Sequence, residues 1–330
     1  MSTLGLVILI AVALGFDFTN GFHDASNAVA TSITTRALRP VAALSMAAGF
    51  NVVGALVSTK VAQTVGDGII TTPNGNSGLV VVFAALLGAI AWNLVTWRVG
   101  LPSSSTHALI GGLVGAAIAS AGTVKWHGLT DKVVIPMAAS PIIGLTLGYV
   151  TMLAILWAFR AVRPSRVNDR FRFAQRLSTA AMAYSHGTQD AQKTMGVITL
   201  ALVITGHLHR FHVPLWVIFA AAMGLGTFAG GWRIIRTVGS RITPLDPPRG
   251  FAAETSAATI LLVSAYAFAL PVSSTHVVTS SVMGAGATRR LSSVRWGLAR
   301  EVVLAWILTI PGSAASAALA YLVVHSALHL

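Results

Sequence analysis

The sequence predicts an all-α integral membrane protein, an inverted-topology repeat of two five-segment halves with broken or re-entrant helices carrying the polar motifs. Three observations predict it. Hydrophobic residues make up 55% of the 330 and charged residues 9%, whereas a soluble domain carries about a quarter charged. Leu-Pro-x-Ser-Ser-Thr-His occurs twice, as Leu101–His107 and Leu270–His276, once in each half. A second pair, Gly21-Phe22-His23-Asp24 and Gly187-Thr188-Gln189-Asp190, lies in nearly the same frame, and both pairs sit in strongly apolar surroundings.

Apolar runs fall near 2–36, 40–62, 78–97, 103–122 and 133–161, then near 175–206, 213–233, 251–270, 272–288 and 298–325. A span needs about 20 helical residues. The first run of each set exceeds that and holds Gly and polar residues at its centre, which predicts a broken helix or a helix plus a re-entrant half. The organisation expected is a first membrane repeat over 1–161, a short basic cytoplasmic linker over 162–175, and a second, inverted repeat over 176–330.

The linker region carries Arg160, Arg163, Arg166, Arg170, Arg172 and Arg176 against Asp169 alone. The excess of positive charge on cytoplasmic loops places it inside. Counting one crossing per run puts Arg36 and Arg39, Arg233–Arg249 and Arg289–Arg300 inside as well, and both termini outside. Five crossings per half is odd, so the halves must insert in opposite orientations. Lys125, Lys132 and Arg210 fall on the wrong side. The net charge of +13 is thus accounted for by loop topology, and nucleic-acid binding is excluded. The N-terminus lacks a basic leader and Asp17 interrupts its apolar stretch, so it reads as a retained helix. With no Cys, there are no disulfides or thiolate sites.

Two related apolar halves with polar clusters at matching positions have the layout of a secondary transporter. In the repeated motif, Pro fixes a helix start and the following hydroxyls cap backbone N–H groups. Ser104, Ser105 and Thr106, with Ser273, Ser274 and Thr275, would present donors at a positive helix end, which suits a tetrahedral oxyanion. A single such cluster would more simply be Ser/Thr back-bonding in a membrane helix; its duplication behind Pro102 and Pro271 favours a site.

Asp17, Asn20, His23, Asp24 and Asn27 crowd one segment, and Gln189, Asp190, Gln192 and Lys193 its counterpart. A carboxylate inside a membrane costs about 3 kcal/mol or more and is kept where paired or useful. Carboxylate and amide oxygens suit a hard monovalent cation or a proton. Asp190 and Lys193, at i, i+3, could equally form a structural ion pair, whereas Asp24 has no cationic partner at helical spacing. His107 and His276 read first as packing residues and second as pathway candidates, and Glu254 as a pathway residue or an interface carboxylate. No fixed metal site and no cofactor are expected.

At Asp17–Thr31, Ser185–Gly196, Gly250–Ala258 and the two Pro-x-Ser-Ser-Thr-His motifs, the chain resembles the inorganic phosphate transporter family. The resemblance implies phosphate moved with Na+ or H+, binding to Ser104–Thr106, Ser273–Thr275, Asp24, Asn27 and Asp190, and a coupling ion handled by His23, Asp24, Asn27, Gln189, Asp190 and Lys193. The family signature G-x-N-D-x-x-N-A is met at Gly21, Asp24, Asn27 and Ala28, with His23 in place of Asn. The second copy has Gln189 for Asn, and Lys193 where Asn27 stands in the first. These departures resemble the proton-coupled bacterial branch. They imply phosphate carried free or bound to Mg2+ or another divalent metal, and a homodimer in the cytoplasmic membrane in contact with lipid. Na+-coupled phosphate symport and sulfate permeation are the alternatives within the fold. HPO4(2−) donates a hydrogen bond and sulfate cannot, so Asp24 and Asp190 as acceptors favour phosphate. A membrane-embedded Ser/His/Asp hydrolase is a remote alternative, because equivalent donors spread over two halves do not form one asymmetric catalytic group.

Overall fold

The computed structural model describes residues 3–73, 75–220 and 224–328. The first half contains α1 (Thr3–Thr34), α2 (Pro40–Val57), α3 (Lys60–Asp67), α4 (Asn76–Val99) and α5 (Ser105–Ala119). Then α6 (Trp126–Leu129) runs through a π-helical turn into α7 (Ile135–Ala158). The second half contains α8 (Pro164–Ile204), the short helices α9 (Leu215–Ala220), α10 (Gly224–Ala229) and α11 (Trp232–Arg236), then α12 (Pro247–Tyr266), α13 (Ser274–Ala287) and α14 (Trp296–Leu328). β1 (Ile70–Thr71) and β2 (Thr123–Val124) pair antiparallel, tying the start of α4 to the end of α5.

Large apolar side chains such as Ile142, Trp157, Leu319 and Val323 face outward while Asp24, Asp190 and Lys193 are buried. That inverts the pattern of a soluble protein and fits lipid outside and a polar pathway inside. Among the described residues, five helical stretches are long and apolar enough to cross a membrane: Thr3–Thr34, Pro40–Val57, Asn76–Val99, Trp126–Ala158 and Trp296–Ala327. α8 has 41 residues, roughly 60 Å at 1.5 Å per residue, twice the ~30 Å hydrocarbon thickness. The surplus is its Arg-rich beginning. Most of the segment expected as a linker, 162–175, is therefore helix, since Pro164 occupies its first turn and Arg is a good helix former.

The long first helix of each half is also continuous, contrary to the expected break. Its central polar side chains find partners on other helices, so no backbone group has to be released. The central glycines serve close approach. A Cβ on Gly21 would lie 2.8 Å from Gly226 Cα, and one on Gly187 only 2.2 Å from the Asn51 carbonyl oxygen. The interrupted elements are the motif helices. α5 has 15 residues and α13 has 14, roughly 21–23 Å long and too short to span. Each is preceded by non-helical chain, at 101–104 and at 269–273.

The halves interleave. α2 packs on α8 and α10 on α1; α5 packs on α14 and α13 on α7. Small residues bring the last two pairs together: Gly111 and Gly115 meet Ile310 and Ala314, while Gly144 and Gly148 meet Ser280 and Ser281. Such contacts suit helix association in lipid, where packing replaces the hydrophobic drive. Two apolar clusters result. α1 supplies Leu6–Phe16 to one and Ala25–Ala30 to the other, while α8 supplies Ala191–Ile204 and Met182–Ala183 respectively. The polar centre lies at their junction.

A close contact of this kind is testable on α2. A Cβ at Gly54 would lie 2.2 Å from the Tyr184 carbonyl oxygen, whereas Gly49 has nothing within 4 Å. Overpacking costs about 1–3 kcal/mol or more. Gly54→Leu is expected to lower the thermal midpoint in detergent clearly, and Gly49→Leu to leave it unchanged. Equal effects would contradict this packing.

Candidate functional site

Both repeated motifs start a helix in the same way. Ser104 and Ser273 are the N-caps of α5 and α13, and their side chains accept hydrogen bonds from His107 N and His276 N, each at 3.2 Å. The next hydroxyls of each motif reach carboxylates on α1 and α8. Ser105 Oγ donates to Asp24 Oδ2, and Thr275 Oγ1 donates to Asp24 Oδ1 at 3.2 Å. Ser274 Oγ donates to Asp190 Oδ2 at 3.1 Å. Asn27 Nδ2 donates to Thr275 Oγ1 at 2.9 Å and to Ser274 Oγ at 3.2 Å. Thr106, the last hydroxyl of the first motif, is buried as well. The two motifs thus converge on one buried centre.

Lys193 is among the largest fully buried side chains. Its ammonium lies 2.9 Å from Asp190 Oδ1 and donates to Ser105 Oγ at 2.8 Å. A fixed cation therefore bridges the second half to the first-half motif, and through Ser105 it reaches Asp24. Asp24 has histidine neighbours as well: His23 Nδ1 lies 3.0 Å from Asp24 Oδ1. Asp24 indeed has no cationic partner at helical spacing on α1; His23 is its immediate chain neighbour, and Lys193 reaches it from α8 only through Ser105. Asp24, His186 and Asp190 each place a ligand atom within 4.8 Å of the others, a group able to hold a metal ion. His186 Nε2 is 2.8 Å from Asp190 Oδ2 and its Nδ1 is 3.2 Å from Asn51 Oδ1. Two carboxylates, one ammonium and two imidazoles therefore share this centre.

Among the described residues, Asn27 Oδ1 and Gln189 Oε1 are buried without a hydrogen-bond partner, although Gln189 Nε2 donates to the Leu261 carbonyl at 3.1 Å. Buried acceptors are rarely left so. Both face the requirement for a donor or a cation. His107 and His276 meet edge to face with ring centroids 4.8 Å apart, and His276 stacks on Trp306 at 4.0 Å. Trp306 Nε1 donates to the Pro102 carbonyl at 2.8 Å, closing the packing where the motifs meet. Glu254 stands apart from this centre, held by Thr31, Gln175, Ser178 and Thr179.

Several site residues escape the sequence reading. His186 precedes Asp190 by one helical turn, a spacing that could have flagged it. Thr96 and Ser103, which surround His23 Nε2 at 3.1 and 3.4 Å, and Asn51 carry no such signal. Their roles come from long-range packing.

The phosphate transporter family profile matches residues 20–164 and again residues 159–317. The chain belongs to this family. It is 49% identical over 325 residues, covering 96% of the chain and 95% of the relative, to a probable low-affinity inorganic phosphate transporter of Rhizobium meliloti. A relative from Bacillus subtilis described in the same words is 44% identical over 325 residues, 97% of both chains. Among solved structures, a sodium-dependent phosphate transporter superposes with a TM-score of 0.90 at 24% identity, covering 98% of this chain and 99% of its own. At that identity the likeness establishes the fold. Membership of the phosphate transporter family makes the protein a multi-pass membrane transporter and not an enzyme.

Breaking a buried ion pair by removing one partner costs about 3–5 kcal/mol, because the other charge is left uncompensated. Lys193→Gln and Asp190→Asn should each destabilise the protein, and the double substitution should cost clearly less than their sum. Additive losses in thermal unfolding in detergent would show that the two groups are not coupled.

Proposed function

We propose that the protein imports inorganic phosphate across the cytoplasmic membrane by proton symport, with the two Ser-Ser-Thr motifs gripping one anion between them. The observation that carries the reading is the charge deficit at their meeting point. Two carboxylates face a single ammonium there, and a phosphate anion adds further negative charge. An anion enters such a place only together with positive charge. Protons on Asp24 and its neighbours supply it, and Lys193, already coordinated by Asp190 and Ser105, occupies oxygens that would otherwise hold a metal cation. His23, at 3.0 Å from Asp24, is the residue type that changes charge nearest neutral pH.

Release of the carboxylates from their hydroxyl partners would free Ser105, Ser274 and Thr275 to donate to phosphate. Asn27 Oδ1 and Gln189 Oε1 would accept from its P–OH, which sulfate lacks. The interleaved packing and the twofold family match support an inverted repeat of 1–161 and 176–330, with the Arg-rich start of α8 in the cytoplasm and both termini outside. The Asp24–His186–Asp190 group favours a second reading of the cargo, in which phosphate arrives with a divalent metal that these ligands steady.

The test is uptake of labelled phosphate into proteoliposomes. An inward proton gradient should drive accumulation, a protonophore should abolish it, and a Na+ gradient at fixed pH should have no effect. Asp24→Asn should end accumulation while leaving phosphate binding measurable. Ser105→Ala or Ser274→Ala, each removing one donor to a charged ligand worth about 1.5–3 kcal/mol, should weaken binding about tenfold to a hundredfold. Strict dependence on Na+ would instead assign the coupling to Na+ bound at Asp24 and Asn27.

A further inference from the structure

We infer that the groove between α7 and α14 holds one acidic phospholipid, its headgroup on Arg300 and an acyl chain running inward to Trp306. The groove lies outside the phosphate site, and the inference is independent of which cation is coupled.

The groove has a volume of about 490 Å³, within the roughly 300–1,000 Å³ of ligand-binding pockets. Ile142 and Leu145 of α7, Met283 of α13, and Val303 and Leu304 of α14 line it. Its floor is closed, since α7 lies along α13 and α14 along α5, while Ile142, Val303 and Leu304 are exposed at its rim. The lining on α14 runs from Trp296 to Trp306, roughly 15 Å at 1.5 Å per residue. That is half of the ~30 Å hydrocarbon core. The groove has the length of one leaflet.

Charge marks its outer end. Arg295 N donates to the Ile242 carbonyl at 2.9 Å, which sets the start of α14 beside the chain leading into α12. Phe251, near the start of α12, meets Phe171 of α8 with ring centroids 5.2 Å apart. Trp296 therefore lies on the side of the Arg-rich beginning of α8. Its indole is half exposed and donates to the Leu291 carbonyl at 2.9 Å, as suits a tryptophan at a membrane–water boundary. Arg300 follows by four residues, on the same face one turn deeper. Helical side chains lean toward the N-terminus, so its guanidinium can reach back to headgroup level with its stem along the groove. Among the described residues no carboxylate pairs with Arg300, nor with Arg289, Arg290 or Arg295. Glu301 is the next residue and projects from another face. A phosphodiester oxygen supplies the missing partner.

At the inner end, Trp306 stacks on His276 at 4.0 Å and donates to the Pro102 carbonyl at 2.8 Å. A chain resting on Trp306 thus touches the side chain that joins the two motifs. A second apolar groove sharpens the choice of lipid. It has a volume of about 380 Å³ between α7 and α12, is lined by Ile143, Val263 and Phe268, and carries Asp131 as its charged residue. Both grooves suit an acyl chain. An anionic headgroup is repelled at Asp131 and attracted at Arg300, so of the two it is the α7–α14 groove that matches an acidic lipid.

The experiment is native mass spectrometry of the full protein in detergent, with dioleoyl phosphatidylglycerol and dioleoyl phosphatidylcholine added in equal amounts. The unchanged protein should retain one phosphatidylglycerol per chain and prefer it about fivefold, the contribution of one basic side chain near an anionic surface. Arg300→Gln should remove that preference. Arg170→Gln, which deletes an exposed charge on α8, should leave it unchanged. Thr146→Phe fills the groove from α7 while keeping Arg300, and should lower retention of both lipids. All three positions are exposed, and an unchanged thermal midpoint shows that each variant is folded. Equal retention of the two lipids by the unchanged protein overturns the inference, as does a preference that survives Arg300→Gln or falls equally with Arg170→Gln. If Thr146→Phe splits a dimer into single chains and leaves lipid retention intact, a second copy of the chain occupies the groove and the inference fails.

Discussion

Burying two carboxylates in the middle of a membrane protein is the constraint around which the remaining structure is arranged. Each would cost several kcal/mol if left bare, and Asp24 and Asp190 lie within reach of one another, which adds repulsion. Lys193 offsets one charge directly, and the hydroxyls of both motifs satisfy the oxygen lone pairs. Those hydroxyls can reach mid-depth only if their helices begin there. That is why α5 and α13 are too short to span and follow non-helical chain, while α1 and α8 run uninterrupted and hold the acids at a fixed height.

Interleaving follows from the same need. A centre assembled from residues on α1, α5, α8 and α13 requires both halves to be folded together, and neither half owns it. Lys193 of the second half bonding Ser105 of the first, and Asn27 of the first bonding Ser274 and Thr275 of the second, are the contacts that enforce this. Glycines and serines on the outer pairs, α5 with α14 and α7 with α13, let backbones approach where lipid supplies no driving force. Small residues at these contacts also suit surfaces that slide during a transport cycle.

Much of this was legible in the sequence because the relevant signals are local or duplicated. The Pro-x-Ser-Ser-Thr-His motifs announce helix starts, and both caps form as capping chemistry requires. The pairing of Asp190 with Lys193 follows from helical spacing. What could not be read is whatever depends on contact between distant segments. The continuity of α1 is of that kind, since Gly21 reads as a break until Gly226 is seen pressed against it. Arg-rich 162–175 reads as a loop by polarity, although Pro and Arg at a helix start are compatible with the extended α8. Glu254 shows no partner in its own neighbourhood; its donors come from α1 and α8, 75 or more positions away in the chain.

The account stands or falls on whether one anion is shared by both motifs. A structure of the protein with phosphate bound addresses this directly. The arrangement described here requires a single phosphate between the N-termini of α5 and α13, with hydroxyl or amide donors from Ser104–Thr106 and from Ser273–Thr275 both within hydrogen-bond distance of it. A phosphate touching only one motif, or two phosphates bound independently to the two, would contradict it.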